Sequence, residues 1–215
     1  MRLRIPITTV AVLAAGAVPA ASTQAASIST DRGCYPVGHK VTLTGTGFAP
    51  SRAYVVTLDD VYFGLSGTDS TGAFSVTFGP GGLVANYAQL VDTLKVTDGT
   101  ATATTSFTIT RPAGARFLAT RGNPRTLRAP FEVWGFSPSG ARLPLYLHYI
   151  GPRGIYKTTV SLGRTGGQCG YLKTKPRRVF PFVPAGGAWT FQVDTHRGYS
   201  RHPRGPVARI GVGVA

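Results

Sequence analysis

The fold of this chain is decided by the stretch Val41-Thr42-Leu43-Thr44-Gly45-Thr46-Gly47-Phe48-Ala49-Pro50. Apolar Val41 and Leu43 alternate with threonines, and successive side chains of a β-strand point to opposite faces. A period of two therefore predicts a strand with one core face and one solvent face. The Gly-Phe-x-Pro element that follows is typical of a strand end: glycine allows close packing, phenylalanine covers the end of a core, and proline fixes φ in the turn.

The same element recurs as Gly135-Phe136-Ser137-Pro138, 88 residues later (135 − 47). Period-two runs also occur at 73–78 and 188–194, and no stretch has a convincing helical period. We predict strands near 27–30, 40–47, 53–59, 61–66, 73–78, 93–97, 101–110, 116–120, 129–135, 143–150, 155–162, 170–173, 178–182, 188–194 and 207–214. Many short strands punctuated by Gly, Pro, Asp and Ser indicate an all-β protein with two tandem immunoglobulin-like β-sandwich domains.

Residues 1–26 have the form of a secretory signal peptide. Arg2 and Arg4 precede an apolar stretch, 7–21, and small residues follow. The alternative is a membrane anchor, but a spanning helix needs about 20 apolar residues and this run is shorter. We therefore expect export, with a first domain at 27–110, a second at 111–215, and a linker near 111–114.

Charge is divided unequally between the two predicted domains. Residues 27–110 carry four basic and six acidic side chains, a net of −2. Residues 111–215 carry seventeen basic side chains against only Glu132 and Asp194, a net of +15. A net positive charge of this size creates an electrostatic field that attracts polyanions and makes their binding salt-dependent.

Cys34 and Cys169 are the only cysteines. Disulfides persist in exported proteins, so an even count favours one bridge between the two domains. The alternative is two separate thiols.

No arrangement of residues indicates catalysis or a metal site. The segment around Ser137 and Ser139 lacks the Gly-x-Ser-x-Gly elbow of a nucleophilic serine, and adjacent Asp59 and Asp60 point to opposite faces of a strand, unlike a glycosidase pair. The four histidines are scattered, and His148 lies in an alternating run that places it on a polar face. A calcium site at the aspartate-bearing loops is an alternative to plain turns. We expect no enzyme activity and no cofactor.

Two basic clusters remain as the candidate binding site. The first consists of Lys173, Lys175, Arg177 and Arg178, and the second of Arg197, Tyr199, Arg201 and Arg204 together with His196 and His202. Guanidinium groups bind carboxylates and phosphates through paired hydrogen bonds. Nucleic acid is the usual partner of such charge, but export argues against it in vivo. An anionic cell-wall polymer, a lipid headgroup or an acidic protein is expected instead, and the alternative is an ordinary solvated basic surface.

The chain from residue 27 onward also resembles secreted actinobacterial proteins with two immunoglobulin-like domains. The matching segments are 34–38, 41–48 and 72–74 in the first domain, and 135–136, 145–149, 161–164, 169–170, 180–182 and 189–194 in the second. The resemblance implies this architecture and export, and it brings no functional residues with it.

These observations predict a non-enzymatic, exported protein that is secreted or associated with the cell wall. The basic second domain would dock on an anionic surface, while the first would act as a spacer or partner surface. Two alternatives stay open. One is a protein–protein adhesion or assembly module that uses sheet edges or Tyr62-Phe63, and the other is a ligand carrier or enzyme with a cleft between the domains.

Overall fold

A computed structural model describes residues 25–83, 87–119 and 121–215. The predicted signal peptide, apart from residues 25 and 26, lies outside the described residues. The described strands are β1 (Ser27–Thr30), β2 (Cys34–Pro36), β3 (Val41–Thr46), β4 (Ala53–Leu58), β5 (Val61–Gly67), β6 (Phe74–Phe78), β7 (Gln89–Thr97), β8 (Thr102–Thr110), β9 (Gly114–Phe117), β10 (Arg128–Ala129), β11 (Phe131–Trp134), β12 (Pro144–Ile150), β13 (Tyr156–Arg164), β14 (Leu172–Lys173), β15 (Arg177–Arg178), β16 (Gly187–Asp194) and β17 (Ala208–Val214). In the described ranges, the sole helical element is a 3₁₀ turn at Pro152–Gly154. The predicted all-β sandwich class is confirmed.

The first unit, residues 27–110, is built from two sheets. Three strands pair in the order β1-β3-β6, and five pair in the order β2-β8-β7-β4-β5. All neighbours are antiparallel except β2 and β8, which pair in parallel. The inward-facing side chains of both sheets form one core, which includes Val41, Leu43 and Phe107.

The second unit, residues 111–215, has a four-stranded antiparallel sheet in the order β13-β12-β16-β17. Opposite it lie a three-stranded sheet, β14-β11-β9, and the two-stranded pair β10-β15. Its core is separate from the first and is rich in aromatic rings, among them Phe131, Tyr149 and Phe191. The inner face of the four-stranded sheet therefore belongs to the core, and its outer face carries the polar residues of β12 and β16.

The repeated Gly-Phe-x-Pro element has the same structure in both units. Gly47 and Gly135 have φ of 78° and 73°, values that favour glycine. Phe48 and Phe136 follow them into the two cores, with 4% and 1% of their surface exposed. A Cβ on Gly135 would lie 2.8 Å from the Arg111 carbonyl oxygen, so this glycine also admits the segment that joins the units.

A disulfide between Cys34 and Cys169 joins the two units, as predicted. Cys34 begins β2, and Cys169 lies in the loop between β13 and β14. Their Cα atoms are 5.3 Å apart and both residues are buried. The bridge and the three residues between β8 and β9 are thus two covalent connections between the units.

One local prediction was wrong, and one strand was not predicted. The strand predicted over 178–182 ends at Arg178, because Val179 and Phe180 turn into the core and Phe180 packs edge-on against Phe191 at 5.1 Å. Strand β2 was not predicted. It has three residues, which is too short for a period-two pattern to be visible.

Candidate anion-binding site

The second unit exposes basic side chains and buries its acidic ones. Glu132 is 8% exposed and Asp194 is fully buried, and these are the only acidic side chains between residues 111 and 215. Fourteen of the seventeen basic residues are exposed, and the other three are partly buried. The surface of this unit is therefore more uniformly positive than its sequence charge alone indicates.

The negative charge of Glu132 is compensated by neighbouring side chains within the unit. The side chains of Arg116 and Tyr171 both donate hydrogen bonds to its carboxylate. Burial raises the pKa of Glu132, but the two hydrogen bonds and the positive charges of Arg116 and Lys173 together outweigh burial, and the net pKa is below the ordinary value. Burial and the same bond raise the pKa of Tyr171 to about 12. The carboxylate therefore stays ionised and internally paired at neutral pH.

The first basic cluster is carried by two short strand pairs. Lys173 lies in β14 opposite Glu132 of β11, so an acid lies close to it. Arg178 lies in β15 directly opposite Arg128 of β10. Both arginines are exposed, and neither forms an ion pair within the described part of the chain. Like charges directly opposite on neighbouring strands repel each other, and a bound anion would relieve that repulsion.

Arg128 is a site residue that the sequence did not reveal. It is 50 residues before Arg178 (178 − 128), and no other cation adjoins it in the chain. One of its terminal nitrogens donates to the Pro176 carbonyl oxygen, which holds it against the first cluster. No sequence signal marks it, because only the β10–β15 pairing brings the two arginines together.

The second basic cluster lies on the loop between β16 and β17, residues 195–207. This loop folds over the outer face of the four-stranded sheet and is held there by a buried polar network. One Asp194 oxygen, Oδ1, accepts the His196 N–H at 2.8 Å, and the other, Oδ2, accepts the Gln192 side-chain amide at 2.9 Å. The same amide donates to the Ser200 carbonyl oxygen at 2.9 Å. Arg209 donates to Gln192 Oε1 at 3.1 Å and to the Arg201 carbonyl oxygen at 2.8 Å.

His148 is the centre of this network. It lies on the outer, polar face of β12 as expected, yet it is fully buried under the loop. Its Nε2 is 3.2 Å from Asp194 Oδ1, and its Nδ1 is 2.6 Å from Thr159 Oγ1. A carboxylate only accepts, so Nε2 donates, and in the neutral ring Nδ1 accepts the threonine hydroxyl. The Tyr199 ring lies over His148, with centroids 5.7 Å apart.

One arginine of each cluster lies near Ser161 of β13. Arg177 donates to the Ser161 carbonyl oxygen at 2.8 Å. Arg197 and Ser161 line a cleft of about 520 Å³ together with Tyr146, Tyr156, Thr158 and Thr159. Tyr199 borders this place by stacking on Tyr156, with ring centroids 4.9 Å apart and planes inclined by 2°. No such contact joins Lys173, Lys175 or Arg178 to the second cluster among the described residues.

Of the aspartates in the loops where a calcium site was an alternative, Asp69 and Asp98 serve as turn residues, Asp59 accepts the Thr93 N–H and Asp60 pairs with Lys95. Asp69 accepts from the N–H groups of Thr71 and Ala73, and Asp98 accepts from those of Thr100 and Ala101. In the described ranges no three His, Cys, Asp or Glu side chains form a metal-ligand group. Within those same ranges, no helix is long and apolar enough to cross a bilayer.

Comparison with known proteins gives a likeness in structure alone. No protein-family model matches the chain, and no curated protein matches it either. Among solved structures it is similar to a mutant of Salmonella alpha-2-macroglobulin, at 13% sequence identity and a TM-score of 0.32. That match covers 90% of this chain and 15% of the macroglobulin chain.

Proposed function

We propose that this protein is an exported, non-enzymatic binding protein whose second unit attaches to an anionic polymer at the cell envelope. The observation that carries the proposal is the burial of both acidic side chains of that unit beside fourteen exposed cations. Such a surface exposes almost no acidic side chain of its own, so its positive charge is neutralised by salt ions or by a polyanionic partner. The disulfide fits an oxidising compartment, where such bonds persist.

The spatial arrangement of the two basic clusters supports a polymer as the partner. Arg128 and Arg178 repel each other on one strand pair, while Arg177 and Arg197 flank Ser161 at the edge of the four-stranded sheet. An extended polyanion can contact several such points at once, and each arginine offers a planar pair of N–H donors. The first unit, which has a small negative charge, then serves as a spacer.

The test is retention of the full chain on a resin that carries polyglutamate, with elution by rising sodium chloride. We expect retention at about 0.1 M salt and release well before 1 M, because the Debye length falls from about 10 Å to about 3 Å over this range. Replacing Lys175, Arg178, Arg201 and Arg204 by Gln should shift elution to much lower salt.

A matched control separates the clusters from net charge. Replacing Arg121, Arg125, Arg142 and Arg153 by Gln removes the same charge from exposed positions outside both clusters. The proposal fails if the wild-type chain passes through the resin at low salt. The assignment to the clusters fails if the two quadruple variants elute together.

A second candidate function, assembly of two copies, is favoured by strand β5. It is the edge of the five-stranded sheet and exposes Val61, Tyr62 and Leu65 by 69%, 65% and 63%. Exposed apolar edge strands are templates for pairing with another strand. β5 contains no charged residue, so two copies can pair along it without like charges directly opposite each other.

Sedimentation equilibrium over a range of concentrations tests this second function. We expect Leu65→Lys to abolish a dimer and Val91→Lys to leave it intact, because Val91 is 58% exposed on an interior strand whose edges are already paired. A wild-type chain that stays monomeric up to its solubility limit would exclude assembly through β5.

A further inference from the structure

The cleft beside Arg197 has the composition of a sugar site. It is lined by two tyrosines, two threonines, one serine and one arginine, and no acid lines it. Its volume of about 520 Å³ lies in the range of about 300–1,000 Å³ that is usual for small-molecule sites. We propose that this cleft binds one uronate unit, a pyranose that carries a carboxylate, within the anionic polymer inferred above.

The floor of the cleft is held in place before any ligand arrives. The Tyr156 hydroxyl lies 2.8 Å from Thr159 Oγ1, which in turn bonds to His148. One face of the Tyr156 ring is covered by Tyr199, and the side chain is still 42% exposed. A ring fixed at its hydroxyl and on one face loses little freedom when a ligand packs against it, which favours affinity.

Each part of a uronate has a matching group in this lining. The apolar C–H face of a pyranose packs on an aromatic ring, because the ring face is electron-rich and the C–H edge is slightly positive. Sugar hydroxyls both donate and accept, as do the hydroxyls of Thr158 and Ser161. The planar carboxylate matches the parallel N–H pair of one guanidinium, that of Arg197.

The charge of the lining favours a carboxylate over a phosphate monoester. One cation lines the cleft, and a carboxylate has one negative charge. A phosphate monoester carries about −1.5 to −2 at neutral pH and three acceptor oxygens, which a single arginine leaves partly unpaired. The lining therefore favours a sugar acid over a sugar that carries a phosphate monoester.

The experiment compares trigalacturonate with triglutamate, each titrated into the full chain by isothermal calorimetry at equal ionic strength. Both carry charged carboxylates, but only trigalacturonate has pyranose rings. We expect the wild-type chain to prefer trigalacturonate by about tenfold or more, and Arg197→Gln to weaken its binding by a similar factor, as loss of a charged hydrogen bond implies. Arg125→Gln, which removes an exposed cation elsewhere in the unit, should leave the binding of trigalacturonate unchanged.

Tyrosine variants isolate the stacking contribution. Tyr156→Ala should remove the preference for trigalacturonate, while Tyr156→Phe, which keeps the ring and loses only the hydroxyl, should keep most of it. Tyr87→Ala, at a tyrosine of the first unit that is 57% exposed and lies outside strand β5, is the control.

This inference rests on the proposed function but fails separately from it. Equal affinity for the two ligands, or an unchanged preference in Tyr156→Ala, would overturn the sugar site while retention on the polyglutamate resin persists. Loss of that retention in the wild-type chain would remove both.

Discussion

Replacement of Asp194 by Asn probes the network that holds the β16–β17 loop on its sheet. Asp194 accepts hydrogen bonds from His148, His196 and Gln192, and it is fully buried. Asn is nearly the same size and keeps one acceptor oxygen. Its new NH₂ group, however, faces the Gln192 amide, which is also a donor.

The two donors cannot both be satisfied. If the Gln192 amide flips, its oxygen turns away from Arg209 and its nitrogen from the Ser200 carbonyl, so those bonds are lost instead. A buried unpaired donor costs about 1–3 kcal/mol. The remaining bonds to the former carboxylate also weaken, because charge-assisted bonds are about twice as strong as neutral ones. We expect Asp194→Asn to lower the free energy of unfolding of the second unit by about 2–4 kcal/mol.

Urea unfolding followed by tryptophan fluorescence measures this loss. Both tryptophans, Trp134 and Trp189, belong to the second unit, so the signal reports on that unit alone. Asp60→Asn is the control, since Asp60 forms an exposed ion pair with Lys95 in the first unit, and exposed pairs contribute little to stability.

Limited trypsin digestion reports on the loop itself. Arg197, Arg201 and Arg204 lie within it, and a detached loop is cut faster because cleavage follows the open population. The reasoning is refuted if Asp194→Asn unfolds within about 0.5 kcal/mol of the wild type, the usual effect of a neutral surface change. It is equally refuted if cleavage at these arginines is not accelerated.

Three further predictions concern the covalent link and the turns. Replacing Cys34 and Cys169 by Ser opens a loop of 135 residues and should cost about 4–5 kcal/mol in the chain-entropy model, measured as the difference in urea unfolding. Hydrogen bonds from the backbone N–H groups of Ala49 and Ala101 hold the pKa of Asp98 well below its ordinary value. The stabilisation that the ionised Asp98 provides is therefore complete above about pH 4 and is lost as pH falls through the lowered pKa. Circular dichroism during acid titration should show Asp98→Asn to be less stable at neutral pH and to lose less stability in acid; an unchanged acid profile would contradict this. Gly135→Ala should destabilise the protein by about 1–3 kcal/mol, which is more than Gly154→Ala should. Both glycines have positive φ, but only Gly135 has backbone atoms within 4 Å of the added Cβ. Equal losses of stability in thermal unfolding would contradict this prediction.

Period-two patterns were a good guide wherever one strand face is buried. Strands β3, β6 and β16 lie close to the ranges predicted for them, because alternation of core and solvent residues leaves a direct trace in the sequence. The cysteine pair and the paired role of Phe48 and Phe136 were predictable for a similar reason, since each follows from residue type and spacing.

The candidate site was less predictable because it is assembled by tertiary contacts. Arg128 meets Arg178 only through the β10–β15 pairing, and Arg177 contacts Ser161 only across the edge of β13. His148 looked like an exposed polar residue since local alternation cannot show that a later loop covers it. The same loop contributes to the burial of Asp194, and local alternation does not show this either. The small amount of negative charge at the surface of the second unit could therefore not be predicted from the sequence.

The disulfide also decides how the chain would respond to a pulling force applied at its ends. A load entering before Cys34 passes through the bridge to Cys169, so the chain between them, a sequence separation of 135, is shielded from extension. At about 3.3–3.6 Å per residue, that hides roughly 450–490 Å of contour length. The buried residues of the first core, Tyr35 to Ile109, lie inside the shielded segment, whereas β1 and β14 to β17 lie outside it. Under tension β1 and these four strands of the second unit would therefore be extended first, and reduction of one bond would release the rest.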